Sequence, residues 1–259
     1  MTPSQQYLDK SADILECVRA QSEAIERAAD WFSETILNNQ LVHLFGSGHS
    51  RIMVEEMWPR YGSFPGFNPI VELSLTFHNL VTGANGQRQA MFLENVPGLA
   101  ERILRNFDLR EGDSALVISS SGTGVVAVEI AEHFQGKGVR VVSIVSKAHS
   151  EASTSKRADN KKLTDFSDLI LDTGAPVGDA MVEIDGLDTP VSPGSTVGGA
   201  LLVNAIKAEV AHRLSKAGHP PRVLTAANLI GPDRAAALFE SAYDEHARGL
   251  AKYSKDIGK

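Results

Sequence analysis

The chain has 259 residues, of which 42% are apolar and 22% charged, with a formal net charge of −7. This composition is that of a soluble globular domain of ordinary size, and the negative charge offers no broad basic surface for nucleic acid or an anionic membrane. The single cysteine, Cys17, excludes an internal disulfide framework. The charged N-terminus does not have the pattern of a signal peptide, and no uncharged apolar run is long enough to span a membrane. A cytoplasmic protein is therefore expected.

The first 40 residues are predicted to form a helical extension. Apolar residues recur three, four and seven positions apart across residues 4–38, with charges between them. Gln21 and Ser22 could interrupt this pattern, so one long helix and two shorter helices both fit. The extension is expected to cover the domain or to pair with a copy of itself.

From residue 41 onward, short apolar runs alternate with helical patterns. The runs have the length of strands, are rich in Val and Ile and lack polar alternation, which is typical of strands buried on both faces of a parallel sheet. They comprise residues 41–45, 70–73, 115–118, 139–145 and 169–171. The helices predicted around them comprise residues 50–58, 96–106, 123–135, 150–158 and 197–216. A repeated order of strand and helix predicts a three-layer αβα sandwich.

Three further segments complete this prediction. Residues 41–216 would form the α/β domain, and residues 217–259 would add an arm and a last helix packed on the same domain. The polar stretch 77–95 is predicted to be a long loop that acts as a lid or contacts a partner. His78 and Glu94 flank it as the candidate lid residues.

The first candidate ligand loop has the sequence GSGHS and directly follows the first predicted strand. Ligands of open parallel sheets bind beyond the carboxyl ends of the strands. Gly46 and Gly48 permit tight turns and close approach, Ser47 and Ser50 offer hydroxyls, and His49 could contact a ligand there. A simple turn with a serine N-cap fits the loop equally well.

A second loop, SSSGTG, follows another predicted strand and brings several hydroxyls to one strand end. Its candidate ligand-binding residues are Ser119, Ser120, Ser121, Gly122 and Thr123. Ser195 precedes a late helix in the same way. Hydroxyls and free backbone N–H groups at neighbouring strand ends predict a neutral anion pocket whose natural occupant is a phosphate.

The segments LFGSGHS, LVISSSGTG and GSTVGGALLVNAIKAE resemble the sugar isomerase (SIS) domain over about residues 41–214. The middle segment is the most specific, because a serine- and glycine-rich loop after a strand is the phosphate-binding signature of that family. The resemblance implies a five-stranded, flavodoxin-like, doubly wound parallel sheet and a phosphosugar ligand without a cofactor. It also implies a homodimer or homotetramer with sites near the interface. By matching position, Ser47, Ser119, Ser121 and Thr123 would hold the phosphate or the sugar hydroxyls nearest it.

Within this family, the chain is similar to an uncharacterised branch that has a SANL-like motif in its C-terminal arm, where this chain has TAANL. In its first half, that branch resembles sedoheptulose 7-phosphate isomerase. The likeness places a catalytic glutamate in the segment VEEM, where Glu55 is the better candidate and Glu56 its neighbour. That enzyme also uses a histidine on its late helix. Here Asn204 or Ala205 lies nearest that place, followed by Glu209 and His212, so the second acid–base group stays open.

These residues also have ordinary interpretations. Glu55 and Glu56 could be solvated first-turn charges, and Glu209 and His212, three residues apart on one helix face, could be an exposed polar stripe. As a pair, Glu209 and His212 could instead act in acid–base chemistry or bind a divalent ion. No metal-binding spacing is present in the sequence, however, and the favoured function needs no metal.

Three functions are compatible with the sequence. The favoured one is aldose–ketose isomerisation of a sugar phosphate through an enediolate, with a glutamate as the base. The second is lyase or etherase chemistry on an amino-sugar phosphate, because GSTVGGA also resembles N-acetylmuramic acid 6-phosphate etherase. The third is a non-catalytic phosphosugar sensor, and the absence of a DNA-binding pattern disfavours a DNA-bound regulator.

Overall fold

The computed structural model describes residues 1–76 and 86–253. The N-terminal extension forms two helices, α1 (Pro3–Arg19) and α2 (Ser22–Leu37), so of the two alternatives the interrupted helix is the one observed. Gln21 sits at the interruption, and its side-chain amide both donates to and accepts from the backbone of Asp172, at 2.8 and 2.7 Å. This pairing ties the break between the helices to the end of an edge strand of the sheet.

Five parallel strands form the central sheet, as predicted. They are β1 (Val42–Gly46), β2 (Phe67–Ile70), β3 (Ser114–Ile118), β4 (Arg140–Val145) and β5 (Leu169–Asp172). Their order in the sheet is β2-β1-β3-β4-β5. This is the flavodoxin-like order, in which the direction of winding reverses between β1 and β3 and opens a crevice there.

Helices cover both faces of the sheet and complete the three layers. They are α3 (Arg51–Met57), α4 (Gly86–Leu93), α5 (Leu99–Leu104), α6 (Val125–Gly136), α7 (Lys147–Ala152), α8 (Ser195–Lys216), α9 (Ala227–Ile230) and α10 (Pro232–Ala251). Leu116 packs into a core with α2, α3 and α8, whereas its neighbour Val117 packs into a second core with α5 and α6. Because successive strand residues point to opposite faces, each face of the sheet buries its own apolar core.

Two predicted boundaries were wrong. The second strand was expected at residues 70–73 but spans Phe67–Ile70, since Pro69 is tolerated in an edge strand, where one side of the backbone needs no partner. The helix expected at residues 150–158 instead spans Lys147–Ala152. Ser146 begins it by accepting a hydrogen bond from the backbone N–H of His149 at 3.2 Å.

The prediction of an irregular loop over residues 77–95 was also wrong in its second half, which forms α4 (Gly86–Leu93). His78 lies outside the described residues.

The structure adds an antiparallel hairpin that was not predicted, β6 (Ala180–Val182) paired with β7 (Val191–Pro193). Its strands of three residues are too short to show a pattern in the sequence.

A buried polar network fastens the C-terminal end of the described chain to the sheet. The phenol of Tyr253 donates to Asp113 Oδ1 at 2.5 Å and accepts from the backbone N–H of Leu41 at 3.0 Å. The other carboxylate oxygen of Asp113 lies 3.2 Å from His43 Nε2, and both side chains are fully buried. Burial, together with the hydrogen bond to Asp113, raises the pKa of Tyr253.

We expect Tyr253→Phe to lower the free energy of unfolding by about 1–3 kcal/mol, because it leaves a buried carboxylate oxygen and a buried N–H without their partner. Urea unfolding measures this loss. Tyr7→Phe is the matched control: the Tyr7 phenol donates to the carbonyl of Pro193 near the surface, where water can replace it. Equal losses in the two variants would contradict a stabilising role for the network.

Candidate functional site

The two serine- and glycine-rich loops lie side by side at one edge of the sheet. β1 and β3 pair in parallel with Gly46 opposite Ile118, so the first loop and the second loop begin at the same level. A methyl group on Gly46 would lie 2.7 Å from the carbonyl oxygen of Ser50, and Gly48 has a φ of +55°. Glycine is therefore required for the tight first loop, which enters the crevice between β1 and β3.

The second loop is organised by its own hydroxyls. Ser119 Oγ accepts from the backbone N–H of Gly122 at 3.2 Å, and the hydroxyls of Ser121 and Thr123 lie 2.9 Å apart. Ser120 Oγ is buried and has no hydrogen-bond partner among the described residues. No side chain caps the first turn of α6, which follows the loop directly. The loop thus offers hydroxyls and helix N–H groups to a ligand rather than consuming them all internally.

Glu94 links the two loops. Its carboxylate accepts a hydrogen bond from Ser47 Oγ at 3.1 Å, and its backbone carbonyl accepts from the N–H of Val126, in the first turn of α6, at 2.9 Å. Partial burial raises the pKa of Glu94 above 4.5, although the hydrogen bond from Ser47 and the charge of Lys156 act in the opposite direction. A partly buried carboxylate with a raised pKa beside the first candidate loop is suited to proton transfer.

Glu55 and Glu56 line a different cavity. Glu55 lies one turn into α3, is 53% exposed and pairs with Arg51 at 3.3 Å. Glu56 accepts from Asn204 Nδ2 at 2.8 Å and pairs with Arg60. Together they border an open cleft of about 650 Å³ between α3 and α10, and none of the loop serines lines it.

Glu209 and His212 lie far along α8 from the loops. Glu209 pairs with Arg213, which in turn pairs with Asp30 on α2, and His212 is exposed. Glu209 follows Ser195 by 14 residues, which is roughly 21 Å along the helix axis. The structure of the chain does not bring these two residues together with the two candidate loops.

Ser195 begins α8 but its hydroxyl has a partner. It donates to Asp179 Oδ2 at 2.7 Å, and the other oxygen of Asp179 accepts from the backbone N–H of Ser195 at 2.7 Å. Asp179 precedes the β6–β7 hairpin, so the hairpin is tied to the start of α8. In this arrangement Ser195 stabilises the turn into the helix.

Within the described part of the chain, no group of three His, Cys, Asp or Glu side chains is arranged to hold a metal ion. None of the helices described in residues 1–76 and 86–253 combines the length and the apolar character needed to cross a bilayer.

The flavodoxin-like sheet, with serine and glycine loops at the reversal of winding, defines the class of the protein. The SIS domain model matches residues 6–146, and the chain belongs to the SIS domain family. A UPF0309 protein of Streptomyces coelicolor is 31% identical over 98% of this chain and 96% of its own length. A UPF0309 protein of Listeria innocua is 30% identical over 92% of this chain and 95% of its own.

A solved structure confirms the fold. The phosphoheptose isomerase from Francisella tularensis superposes with a TM-score of 0.51 and 16% sequence identity. The match covers 82% of this chain and all of that one. Both the resemblance to the SIS family and the three-layer architecture predicted from the sequence are therefore confirmed.

Proposed function

We propose that this protein binds a sugar phosphate beyond the ends of β1 and β3, and that Glu94 transfers a proton on the bound sugar. Membership of the SIS domain family supports the ligand class. The observation that carries the proposal is the position of Glu94, whose carboxylate reaches the first loop while its backbone contacts the start of α6. One residue thus contacts both the first loop and the helix that follows the second.

The phosphate would bind at the second loop and the start of α6. The positive end of the helix dipole favours an anion there, as do the first-turn N–H groups other than that of Val126, which Glu94 already holds. The hydroxyls of Ser121 and Thr123 can donate to phosphate oxygens, and the buried hydroxyl of Ser120 gains a partner when a ligand arrives. The sugar carbons would then extend toward Ser47 and Glu94.

Aldose–ketose isomerisation fits this arrangement. The Glu94 carboxylate would take the proton from the carbon next to the carbonyl, giving an enediolate, and return it to the adjacent carbon. A proton meanwhile moves between the two oxygens, and Ser47, whose O–H is donated to Glu94, could accept a hydrogen bond from a sugar hydroxyl. Partial burial raises the pKa of Glu94 toward the working pH, which favours a carboxylate as a base.

Glu55 is the alternative base of this proposal. It lies close to the first loop in sequence but is largely exposed and ion-paired. Glu209 and His212 could reach a ligand only in a neighbouring protomer of an oligomer. The homodimer or homotetramer and the cytoplasmic location stay predictions from the sequence.

A panel of sugar phosphates and their unphosphorylated counterparts tests the ligand class. A ligand at a hundredfold excess over its Kd should stabilise the protein by about 2.7 kcal/mol, measured by thermal shift. Incubation of each binding sugar in D₂O then separates the functions. An isomerase is indicated if a new ketose or aldose forms and carries deuterium at the carbon beside its carbonyl. A lyase or etherase is indicated if the sugar phosphate loses a substituent. Binding without exchange indicates a sensor.

We expect Ser121→Ala to weaken sugar-phosphate binding by about tenfold, because it removes one hydrogen bond to a charged group. Isothermal titration calorimetry measures the change. Ser241→Ala is the control, since the hydroxyl of Ser241 donates to the backbone of its own helix α10, 3.0 Å from Leu238 O. Equal affinity of the wild-type protein for phosphorylated and unphosphorylated sugars would contradict the assignment of this loop.

A further inference from the structure

A lysine of α8 is buried against the end of α3. Lys207 is 6% exposed, and its ammonium donates to the backbone carbonyl of Glu56 at 2.7 Å and to Ser63 Oγ at 3.2 Å. Glu56 is the last residue but one of α3, so its carbonyl has no partner within the helix. Burial lowers the pKa of Lys207 despite the opposing charge of the Glu56 carboxylate. The buried cation thus lies at the end of α3 that carries partial negative charge.

The same ammonium joins α3 to the C-terminal arm. Ser63 is fully buried, and its backbone carbonyl accepts from the N–H of Leu224 at 2.8 Å. The N–H of Gly62 donates to the carbonyl of Leu224, also at 2.8 Å. Leu224 directly precedes the TAANL segment. Lys207 therefore lies where α8, the end of α3 and the arm meet.

Two further contacts hold α3 against α8. Asn204, three residues before Lys207, donates from Nδ2 to Glu56 Oε1 at 2.8 Å. A methyl group on Gly199 would lie 3.0 Å from Met53 Cγ, so the backbone of α8 approaches α3 closely there. α3 has seven residues and is therefore about 10 Å long. A helix this short turns as one body, so a displacement of its end also displaces its beginning.

The first ligand loop leads directly into α3, which starts at Arg51. Ser47 of this loop donates to Glu94 at 3.1 Å. We propose that Lys207 is a positioning residue of the site, which holds the end of α3 and thereby keeps Ser47 at hydrogen-bond distance from Glu94. The inference rests on the proposed function, because the first loop is the one that the sugar carbons would reach.

Lys207→Met and the control Tyr253→Phe separate positioning from stability. Methionine keeps the unbranched shape and removes the ammonium. The hydroxyl of Ser63, 3.4 Å from the carbonyl of Glu56, can take over that acceptor, so the variant is expected to fold. Tyr253→Phe also costs stability, but it acts at Leu41 and Asp113, which precede β1 and β3, at the opposite edge of the sheet from the ligand loops.

The probes are inorganic phosphate and sedoheptulose 7-phosphate, titrated by calorimetry. Inorganic phosphate would occupy the second loop alone, whereas a sugar phosphate would also reach the first. We expect Lys207→Met to weaken the binding of sedoheptulose 7-phosphate by about tenfold and that of inorganic phosphate by less than about twofold. Lys207→Gln keeps a neutral donor on a side chain one atom shorter, and it should show the same selective loss at about threefold. Tyr253→Phe should bind both probes like the wild-type protein.

A measurement without ligand reports the position of the loop independently. The hydrogen bond from Ser47 acts to lower the pKa of Glu94. In ¹³C-labelled protein, Lys207→Met should therefore raise the apparent pKa of the Glu94 carboxyl further, whereas Tyr253→Phe should not.

The outcomes distinguish the inference from the proposed function. Wild-type affinity for the sugar phosphate in Lys207→Met and Lys207→Gln, with an unchanged Glu94 titration, would overturn the inference and leave the proposed function intact. Equal losses for both probes, or the same loss in Tyr253→Phe, would indicate a contribution to stability alone and would also overturn it. Failure of the wild-type protein to bind either probe would overturn the proposed function, and the Glu94 titration would still decide whether Lys207 positions the loop.

Discussion

Replacing Glu94 with glutamine is expected to lower the turnover of a sugar phosphate by roughly 10²- to 10⁴-fold while changing its Kd by no more than about threefold. Glutamine keeps the size of the side chain and an oxygen that can accept from Ser47, so the first loop stays in place. It cannot take up a proton from carbon. Steady-state kinetics and calorimetry on the same variant separate the two effects.

The same substitution has a predicted effect on stability. The folded-state pKa of Glu94 is raised above the reference value of 4.5, so the folded protein binds this proton more tightly than the unfolded chain does. The ionised carboxylate therefore costs stability above the folded-state pKa, and this cost disappears below about pH 4.5. Glu94→Gln should be more stable than the wild-type protein at neutral pH and lose that advantage on acidification, as measured by urea unfolding across pH.

Glu55→Gln is the matched control, because it makes the same chemical change on an exposed carboxylate. If Glu94 is the base, Glu55→Gln should keep most of the turnover. A loss of turnover in Glu55→Gln with normal activity in Glu94→Gln would instead assign the base to α3. Loss in both variants would indicate that the two carboxylates share the proton transfers.

The parts of the fold that the sequence predicts well are those defined by local chemistry. An apolar run followed by GSGHS or SSSGTG combines a buried strand with a loop that only small residues can form. Since β1 and β3 are neighbours in a flavodoxin-like sheet, both loops meet at one edge, and the family resemblance supplies that order. The placement of Ser47, Ser119 and Ser121 at one edge of the sheet is therefore accessible to sequence reasoning, and their role in binding stays a prediction.

The rest depends on contacts between distant residues. Glu94 is 47 residues from Ser47, and the polar sequence around it indicates an irregular loop rather than a helix that presents a carboxylate to the site. The hydroxyl of Ser195 donates to Asp179, which lies next to a hairpin whose strands are too short to show a pattern in the sequence. Neither of these two contacts has a local motif.

The site is therefore built from two kinds of segment. In the proposed site, the loops after β1 and β3 supply neutral donors fixed by the sheet, whereas the carboxylate of Glu94 comes from the connection after α4. Glycine and serine at the strand ends set where an anion can bind. Under the proposed function, Glu94 determines which chemistry the site supports, so substitutions in the connection after α4 should alter activity without disturbing the fold.

The largest effect on stability is expected from Gly198→Ala, where the start of α8 crosses the end of β5. A methyl group on Gly198 would lie 2.0 Å from the backbone carbonyl oxygen of Thr173, far inside van der Waals contact. Neither the helix nor the strand end is a flexible side chain that can move aside, so α8 must shift away from the sheet. Overpacking of this kind should lower the free energy of unfolding by about 3 kcal/mol or more.

Gly136→Ala is the control for this substitution, because a methyl group there meets no atom within 4 Å at the exposed end of α6. Alanine favours the helix by about 1 kcal/mol, so this variant should be neutral or more stable. Urea unfolding measures both. α8 also packs on α3, which begins at the first ligand loop, and a shifted α8 should therefore weaken sugar-phosphate binding as well. Wild-type stability in Gly198→Ala would contradict the close packing of α8 on the carboxyl end of β5.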